Sequence, residues 1–85
     1  MINFSELKID YDKLISYTYT FEGSCGVGKL IMKDMSIRIE VEGSLVSFEG
    51  TRNETVFLEA VYNTKDKTQA FNDFLAGVKR DASIS

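Results

Sequence analysis

The sequence contains no histidine, no proline and no tryptophan, and it has a single cysteine, Cys25. The absence of histidine removes the side chain that most often acts as a general base, a proton shuttle or a metal ligand near neutral pH. A single cysteine excludes a disulfide within the chain, and no imidazole is present to activate its thiol. The sequence therefore predicts a protein that is not an enzyme, with no catalytic residue, no metal site and no cofactor.

Long apolar runs are also missing. No stretch approaches the ~20 apolar residues with which a helix crosses a membrane. The first residues lack the basic and apolar regions of a signal peptide, and the lone thiol suits a reducing compartment. We therefore expect a cytoplasmic protein that does not bind membranes.

Basic residues are fewer than acidic ones. The 85 residues include 13 acidic and 10 basic side chains, which give a net charge of -3 and a pI near 4.8. Contacts with phosphate need clustered lysine and arginine, so we expect no direct binding of nucleic acid. Six Phe and four Tyr, within a hydrophobic content of 44%, supply material for one core. Residues 1–85 are therefore predicted to form a single compact domain.

The strands are predicted from alternating apolar and polar residues. Residues 14–22 alternate throughout and form the first strand. Residues 29–42 form the second, but Leu30 and Met32 have the opposite parity from Ile37, so this strand needs a β-bulge near residues 33–36. In the first strand one buried face would carry Ile15, Tyr17, Tyr19 and Phe21.

A tight turn at Gly43 and Ser44 is predicted to start the third strand. This register matches apolar residues and opposite charges across the hairpin, pairing Val41 with Val46, Ile39 with Phe48 and Arg38 with Glu49. The fourth strand, residues 56–62, is predicted to follow a five-residue loop, residues 51–55. In that register Val46 pairs with Ala60, Phe48 with Leu58 and Gly50 with Val56.

The C-terminal part predicts a helix. Asp66 and Gln69 form a capping-box pattern, and lysine and arginine in the last turn suit the helix dipole. Residues 3–13 are ambiguous, and we favour a short helix over short strand pieces. The predicted fold class is α+β, a four-stranded antiparallel β-meander with a C-terminal helix packed on one face and a short N-terminal helix. The apolar stripe of the C-terminal helix consists of Ala70, Phe71, Phe74, Leu75 and Val78.

The glycine-rich stretch of residues 23–29 resembles a phosphate-binding Walker A loop. In such a loop, glycine amides surround the phosphate and a lysine reaches it. The resemblance implies a nucleotide- or phosphate-binding protein that uses Gly23, Gly28 and Lys29. However, Leu30 stands where the motif has its Mg²⁺-binding hydroxyl, and a strand follows. We therefore interpret the stretch as a β-hairpin loop in which Glu22 pairs with Lys29, and keep phosphate binding as the alternative.

The sheet face away from the helix carries the main candidate site. It is predicted to present Glu40, Glu42, Glu49 and Glu59 near an apolar anchor, Phe57. Exposed aromatic side chains beside charges are typical of protein interfaces. The favoured hypothesis is a small acidic protein-binding module, an inhibitor or regulator of the kind that phages and mobile elements encode. Its partner would be a basic or nucleic-acid-binding protein.

Three other interpretations of this surface and of the sheet remain open. The face is an ordinary solvated surface, or it is the contact face of a homodimer. Alternatively, the protein is a structural assembly subunit whose sheet edges, of which residues 14–22 are one, pair between chains.

Overall fold

The computed structural model describes residues 2–84, with side chains described through Asp81. It contains one antiparallel sheet, whose five strands lie in sequence order, and one C-terminal helix. The α+β class, the antiparallel meander and the C-terminal helix are confirmed, but the sheet has five strands instead of four. The elements are β1 (Leu14–Glu22), β2 (Cys25–Met32), β3 (Ser36–Glu42), β4 (Leu45–Arg52), β5 (Thr55–Asn63) and α1 (Lys67–Ile84).

The fifth strand comes from residues 29–42, which the sequence predicted as one bulged strand. Residues 33–35 instead reverse the chain between β2 and β3, and the Met32 N–H donates to the Met35 carbonyl oxygen over 2.8 Å. The change of parity in this segment is therefore a chain reversal and not a bulge. Because each strand now keeps its own alternation, Leu30 and Ile37 face the same side and lie opposite each other.

Most of the glycine-rich stretch is strand, so the predicted loop is wrong. Only Gly23 and Ser24 form the turn, and Gly23 has a φ of +63°, a left-handed conformation that favours glycine. β2 begins directly after it, and Glu22 pairs with Cys25. The predicted pair of Glu22 with Lys29 is therefore also wrong.

The β3–β4 hairpin is confirmed in its turn and in its register. The turn contains Gly43, with a φ of +60°, and Arg38 lies opposite Glu49 as predicted. Apolar pairing and turn chemistry indicate the same register here, so local information was sufficient.

The register between β4 and β5 differs from the prediction by two residues. Phe48 lies opposite Ala60, and the connecting loop consists of Asn53 and Glu54 alone. Both loop residues have positive φ, +49° and +63°, as a tight hairpin turn of this type requires. The five-residue loop predicted over residues 51–55 is therefore wrong.

The core lies between one face of the sheet and α1. Phe48 is 1% exposed, and its ring centroid is 4.6 Å from that of Phe71 and 5.3 Å from that of Phe74. All the residues predicted for the apolar stripe of α1 are in this core. The remaining buried apolar residues are Ile2, Leu7, Leu30, Met32, Ile37, Ile39, Val41, Val46, Ala70, Leu75 and Val78.

The two ends of α1 show one confirmed prediction and one wrong prediction. The Gln69 N–H donates to Asp66 Oδ1 over 3.0 Å, as the capping pattern predicts. The helix continues to Ile84, so no lysine or arginine lies in its last turn and that prediction is wrong; Ser85 lies outside the described residues. No helix of the described chain is both long enough and apolar enough to span a membrane.

The N-terminal segment forms two single turns of 3-10 helix, Phe4–Glu6 and Tyr11–Lys13, so the predicted short helix over residues 3–13 is wrong. This segment packs beside α1. Asn72 holds it, because its Oδ1 accepts from the Lys8 N–H over 2.8 Å and its Nδ2 donates to the Glu6 carbonyl oxygen over 3.2 Å.

Of the four residues predicted for a buried face of β1, Ile15, Tyr17 and Phe21 are exposed, and Tyr19 is half-buried with a buried hydroxyl. Its ring lies near those of Phe4 and Phe21, at centroid distances of 5.6 and 6.2 Å. Within the described part of the chain, the Tyr19 hydroxyl has no hydrogen-bond partner. Burial raises the pKa of this hydroxyl above its usual value of 10.0.

Replacing Tyr19 by phenylalanine is expected to leave the free energy of unfolding at pH 7 unchanged or to raise it by up to about 1 kcal/mol, because a buried hydroxyl without a partner is destabilising. A pKa raised by folding means that the native state keeps its proton more tightly. Titration of this hydroxyl therefore leaves the free energy of unfolding unchanged below pH 10, and lowers it as the pH rises above 10, where the unfolded chain ionises more readily than the folded one. Urea titrations between pH 7 and 11 should show a smaller decrease in the free energy of unfolding at alkaline pH for Tyr19→Phe than for the wild type.

Tyr17→Phe is the matched control, because the Tyr17 side chain is 53% exposed. Burial also raises the pKa of Tyr62, and Asp73 raises it further while Arg80 lowers it. Tyr19→Phe should therefore keep the part of the decrease in the free energy of unfolding at alkaline pH that is due to Tyr62. Equal decreases in Tyr19→Phe and Tyr17→Phe would contradict the assignment to Tyr19.

Candidate protein-binding face

The sheet has one face covered by α1 and one face that the helix leaves bare. We call the bare side the open face. Side chains alternate along each strand, so every second residue belongs to it. Its members are Ser16, Thr18, Thr20 and Glu22 in β1, Cys25, Val27, Lys29 and Ile31 in β2, Ser36, Arg38, Glu40 and Glu42 in β3, Leu45, Ser47, Glu49 and Thr51 in β4, and Val56, Glu59, Val61 and Asn63 in β5.

The strand registers align these side chains in rows across the sheet. Neighbours within a row have their Cβ atoms about 5 Å apart and therefore interact. Two adjacent rows at the centre of the face are Thr20, Val27, Glu40, Ser47, Val61 and Thr18, Lys29, Arg38, Glu49, Glu59.

The net charge of the chain is concentrated on the open face. Five of the 13 acidic residues and two of the 10 basic residues lie there, which leaves eight of each sign elsewhere. The open face therefore carries a charge of -3, and the rest of the chain is balanced. The charged members of the face are Glu22, Glu40, Glu42, Glu49, Glu59, Lys29 and Arg38.

The charges are not evenly spread over this face. In the central row Lys29 lies opposite Arg38, and Glu49 lies opposite Glu59, so like charges are neighbours on each half. Such pairs oppose folding by a few tenths of a kcal/mol to about 1 kcal/mol. Arg38 Nη2 is 2.6 Å from Glu40 Oε1, but both side chains are more than half exposed, so this ion pair adds little stability.

Exposed apolar side chains lie among the glutamates. Val61 is 69% exposed, Val27 is 55% exposed and Leu45 is 47% exposed. Val61 and Leu45 adjoin a shallow depression whose other lining residues include Glu40, Glu42 and Ser47. The face thus combines exposed apolar area with carboxylates.

Four of the five predicted protein-binding residues lie where the sequence placed them. Glu40, Glu42, Glu49 and Glu59 all belong to the open face. The register error between β4 and β5 did not move Glu59 to the other face, because a shift of two residues preserves the side-chain alternation.

The predicted place of Phe57 is wrong. β5 has one extra residue between the pairs Gly50 with Leu58 and Thr51 with Val56. This β-bulge turns Phe57 to the helix side, where its ring covers Gly50 and packs against the core.

Contacts on the helix side hold the Phe57 ring in place. The Arg52 guanidinium carbon is 4.0 Å from the centroid of the ring. Arg52 Nη1 also lies 3.1 Å from Asp81 Oδ2 on α1. Phe57 therefore offers no apolar anchor to a partner on the open face, and Val27, Leu45 and Val61 are the side chains in a position to do so.

Sequence reasoning missed Val27 as a member of this face because it assigned residues 23–28 to a loop. One signal was available. From Cys25 to Lys29, residues with side chains alternate with glycine. This period of two residues is that of a strand with glycine on one side.

The three residues of the phosphate-binding alternative do not converge. Gly23 is in the turn, Gly28 is buried on the helix side of β2, and Lys29 is on the open face. β2 pairs with β1 on one side and β3 on the other, so its amides belong to the two ladders. A loop of free amides around a phosphate, which the Walker A resemblance requires, is therefore not formed by these residues.

No family model, curated protein or solved structure gives a significant match to this chain. Any binding function of the open face must therefore be inferred from its own charge and shape.

Proposed function

We propose that this protein binds a basic partner protein through the open face, without catalysis of its own, and thereby inhibits or regulates that partner. The charge distribution carries the proposal, because the whole net charge of -3 lies on the one sheet face that the helix leaves bare. A surface with an excess of one sign speeds association with an oppositely charged partner and disfavours wrong ones. A basic nucleic-acid-binding protein suits this face as a partner, since the carboxylates of the open face would take the place of the phosphates of nucleic acid.

The exposed apolar residues supply the contact area that charge alone does not. Val27, Leu45 and Val61 are apolar side chains exposed to water, and the burial of their apolar surface against a partner is favourable. Five strands about 4.8 Å apart make a face roughly 20 Å across. With strands of about eight residues at ~3.3 Å per residue, the area of the face is roughly 500 Å², which is smaller than the ~800 Å² per partner of a standard interface. We therefore expect the affinity to depend strongly on charge and to fall as salt is raised.

A cytoplasmic site of action is part of the proposal. Cys25 is an exposed free thiol on the open face, and such a thiol is maintained in a reducing compartment. Small acidic regulators encoded by phages or mobile elements act in that setting, and this is the class of protein to which we assign the chain.

Charge reversal on the open face is expected to weaken partner binding by about 100-fold, which corresponds to about 1.4 kcal/mol for each of two charges. The test variant is Glu40→Lys/Glu42→Lys, whose two carboxylates are exposed on the same face of β3. The partner is first captured from the native host and identified, and its affinity is then measured by calorimetry with purified components at two salt concentrations.

The matched control is Glu6→Lys/Glu54→Lys, which makes the same change in net charge at exposed positions away from the open face. This control should bind within about threefold of the wild type, since distant exposed charges are largely screened. Equal losses in the two double variants, or a captured partner whose binding surface is acidic, would refute the proposal.

A further inference from the structure

β1 is an edge strand of the sheet and its outer edge is bare. Seven of its nine residues are exposed. Among residues 2–84, its only backbone hydrogen bonds within the sheet are those of the ladder with β2. An edge of this length is a template for another strand, and proteins usually protect such edges with charges, proline or a covering segment.

Little of this protection is present along β1. The residues from Leu14 to Phe21 include neither a charge nor a proline, and the one irregularity is a bulge at Ile15, near the start of the strand. The N-terminal segment places the Phe4 ring 4.9 Å from that of Tyr17 and so covers part of the helix-side face of β1. It leaves the hydrogen-bonding edge free.

The direction of the free backbone groups follows from the turn. Glu22 and Cys25 flank a two-residue turn and so form a hydrogen-bonded pair, from which the pattern alternates along the strand. The N–H and C=O groups of Tyr17, Tyr19 and Phe21 therefore point away from β2. Their spacing of two residues is the one that an added antiparallel strand needs.

The sequence of β1 is complementary to itself about Thr18, its central residue. If two copies pair antiparallel around this point, Tyr17 lies opposite Tyr19 of the second copy, and Ser16 lies opposite Thr20. Aromatic rings then face aromatic rings and hydroxyls face hydroxyls, which are favourable cross-strand pairs. Lys13 and Glu22 lie at opposite ends of the strand, so antiparallel pairing brings opposite charges together.

The other edge strand, β5, lacks this complementarity. Its central residue is Glu59, which is exposed. Two copies of β5 paired about their centre would place glutamate opposite glutamate, an unfavourable like-charge contact. Of the two edges of the sheet, β1 is therefore the one suited to self-association.

From these observations we infer that two copies of the chain associate through their β1 strands, antiparallel and with the two-fold axis at Thr18. The two five-stranded sheets then form one continuous sheet of twice the width. Because this axis is perpendicular to the sheet, the open faces of both copies lie on the same side. The inference does not depend on the partner binding proposed above, although a doubled face would give a partner a larger contact area.

A charge-swap experiment at Thr18 tests this inference. The two Thr18 residues form a non-hydrogen-bonded pair at the axis, with Cα atoms about 4.5 Å apart, so like charges there repel strongly. Sedimentation equilibrium over a concentration series should give the wild type a mass that rises toward twice the 9.6 kDa of one chain. Thr18→Lys and Thr18→Glu alone should each dimerise at least tenfold more weakly, and their equimolar mixture should regain the wild-type dimer.

Thr55→Lys and Thr55→Glu are the controls, because Thr55 is an exposed threonine of the other edge strand. They should leave dimerisation unchanged, both alone and mixed. Amide hydrogen exchange provides a second measurement that needs no variant. Exchange at Tyr17, Tyr19 and Phe21 should slow as the wild-type concentration rises, while exchange along β5 should not change.

Three results would overturn the inference. If the wild type stays monomeric up to millimolar concentration, β1 does not pair with a second copy of the chain. Its free edge would then be available only to an extended segment of a different protein. A dimer that both Thr18 variants retain would locate the contact elsewhere, on the open face or on β5. A mixture of the two variants that fails to regain the dimer would exclude a two-fold axis at Thr18.

Discussion

Phe48→Ala is expected to lower the free energy of unfolding by about 3–5 kcal/mol. The Phe48 ring is almost fully buried and packs against the rings of Phe71, Phe74 and Tyr62, at centroid distances of 4.6, 5.3 and 6.0 Å. Its removal leaves a cavity where β4, β5 and α1 meet. Neighbouring rings are rigid and relax only partly into such a space, so the loss includes both the transfer term and the cavity term.

A loss of this size is a large part of the total stability. At about 0.05–0.15 kcal/mol per residue, a chain of this length has roughly 4–13 kcal/mol. Urea denaturation followed by circular dichroism measures the change. Val61→Ala is the control, because Val61 is mostly exposed and its truncation should change the free energy of unfolding by no more than about 0.5 kcal/mol. A loss below 1 kcal/mol for Phe48→Ala would mean that the packing of α1 on β4 is not as described.

Gly28→Ala should lower the free energy of unfolding by about 2–3 kcal/mol, the upper part of the range for overpacking in a well-packed site. A Cβ atom at Gly28 would lie 2.7 Å from the Thr18 carbonyl oxygen and 2.8 Å from Tyr19 Cδ1. The first contact is with backbone, so β1 itself would have to move away from β2. Glycine is required here because the edge strand and the Tyr19 ring approach this residue too closely for any side chain.

Gly26→Ala is the informative comparison, because Gly26 lies on the same face of the same strand. Its added Cβ would meet the Tyr19 hydroxyl oxygen at 2.8 Å and Phe21 Cδ2 at 2.9 Å. Both contacts are with side chains, and the Phe21 ring is 36% exposed, so it can rotate into water. We expect a loss of about 1 kcal/mol or less, the lower end of the same range. Similar losses for the two variants in urea titrations would contradict this account of Gly28.

The elements that were predicted well depend on local chemistry. The β3–β4 hairpin combines a turn glycine, Gly43, with an opposite-charge pair, Arg38 and Glu49, and each of these features independently indicates the observed register. The start of α1 is set by the Asp66 side chain three residues before Gln69. Such signals lie within a few residues of one another, so they can be found without knowledge of the rest of the fold.

The elements that were missed depend on contacts distant in sequence. Residues 33–35 contain no glycine or proline to mark a reversal, and the carbonyl of Met35 closes this turn only because β3 then pairs with β2. Gly26 and Gly28 resemble loop residues by composition. They are strand residues here because the rings of Tyr19 and Phe21 cover the space that side chains would fill. Pattern analysis of one segment contains no information about a ring that comes from another strand.

By itself, the sequence determined the α+β class, the helix with its buried stripe, and the four glutamates of the candidate face. Those glutamates were placed correctly because a side chain's face depends only on alternation along its own strand, which survives a register shift of two residues. Only the tertiary structure decided that β2 and β3 are separate strands, that a bulge turns Phe57 onto the helix side, and that the net charge of the chain lies on one face. These outcomes follow from how strands pair and pack across the sheet, because that pairing brings together residues that are far apart in the chain.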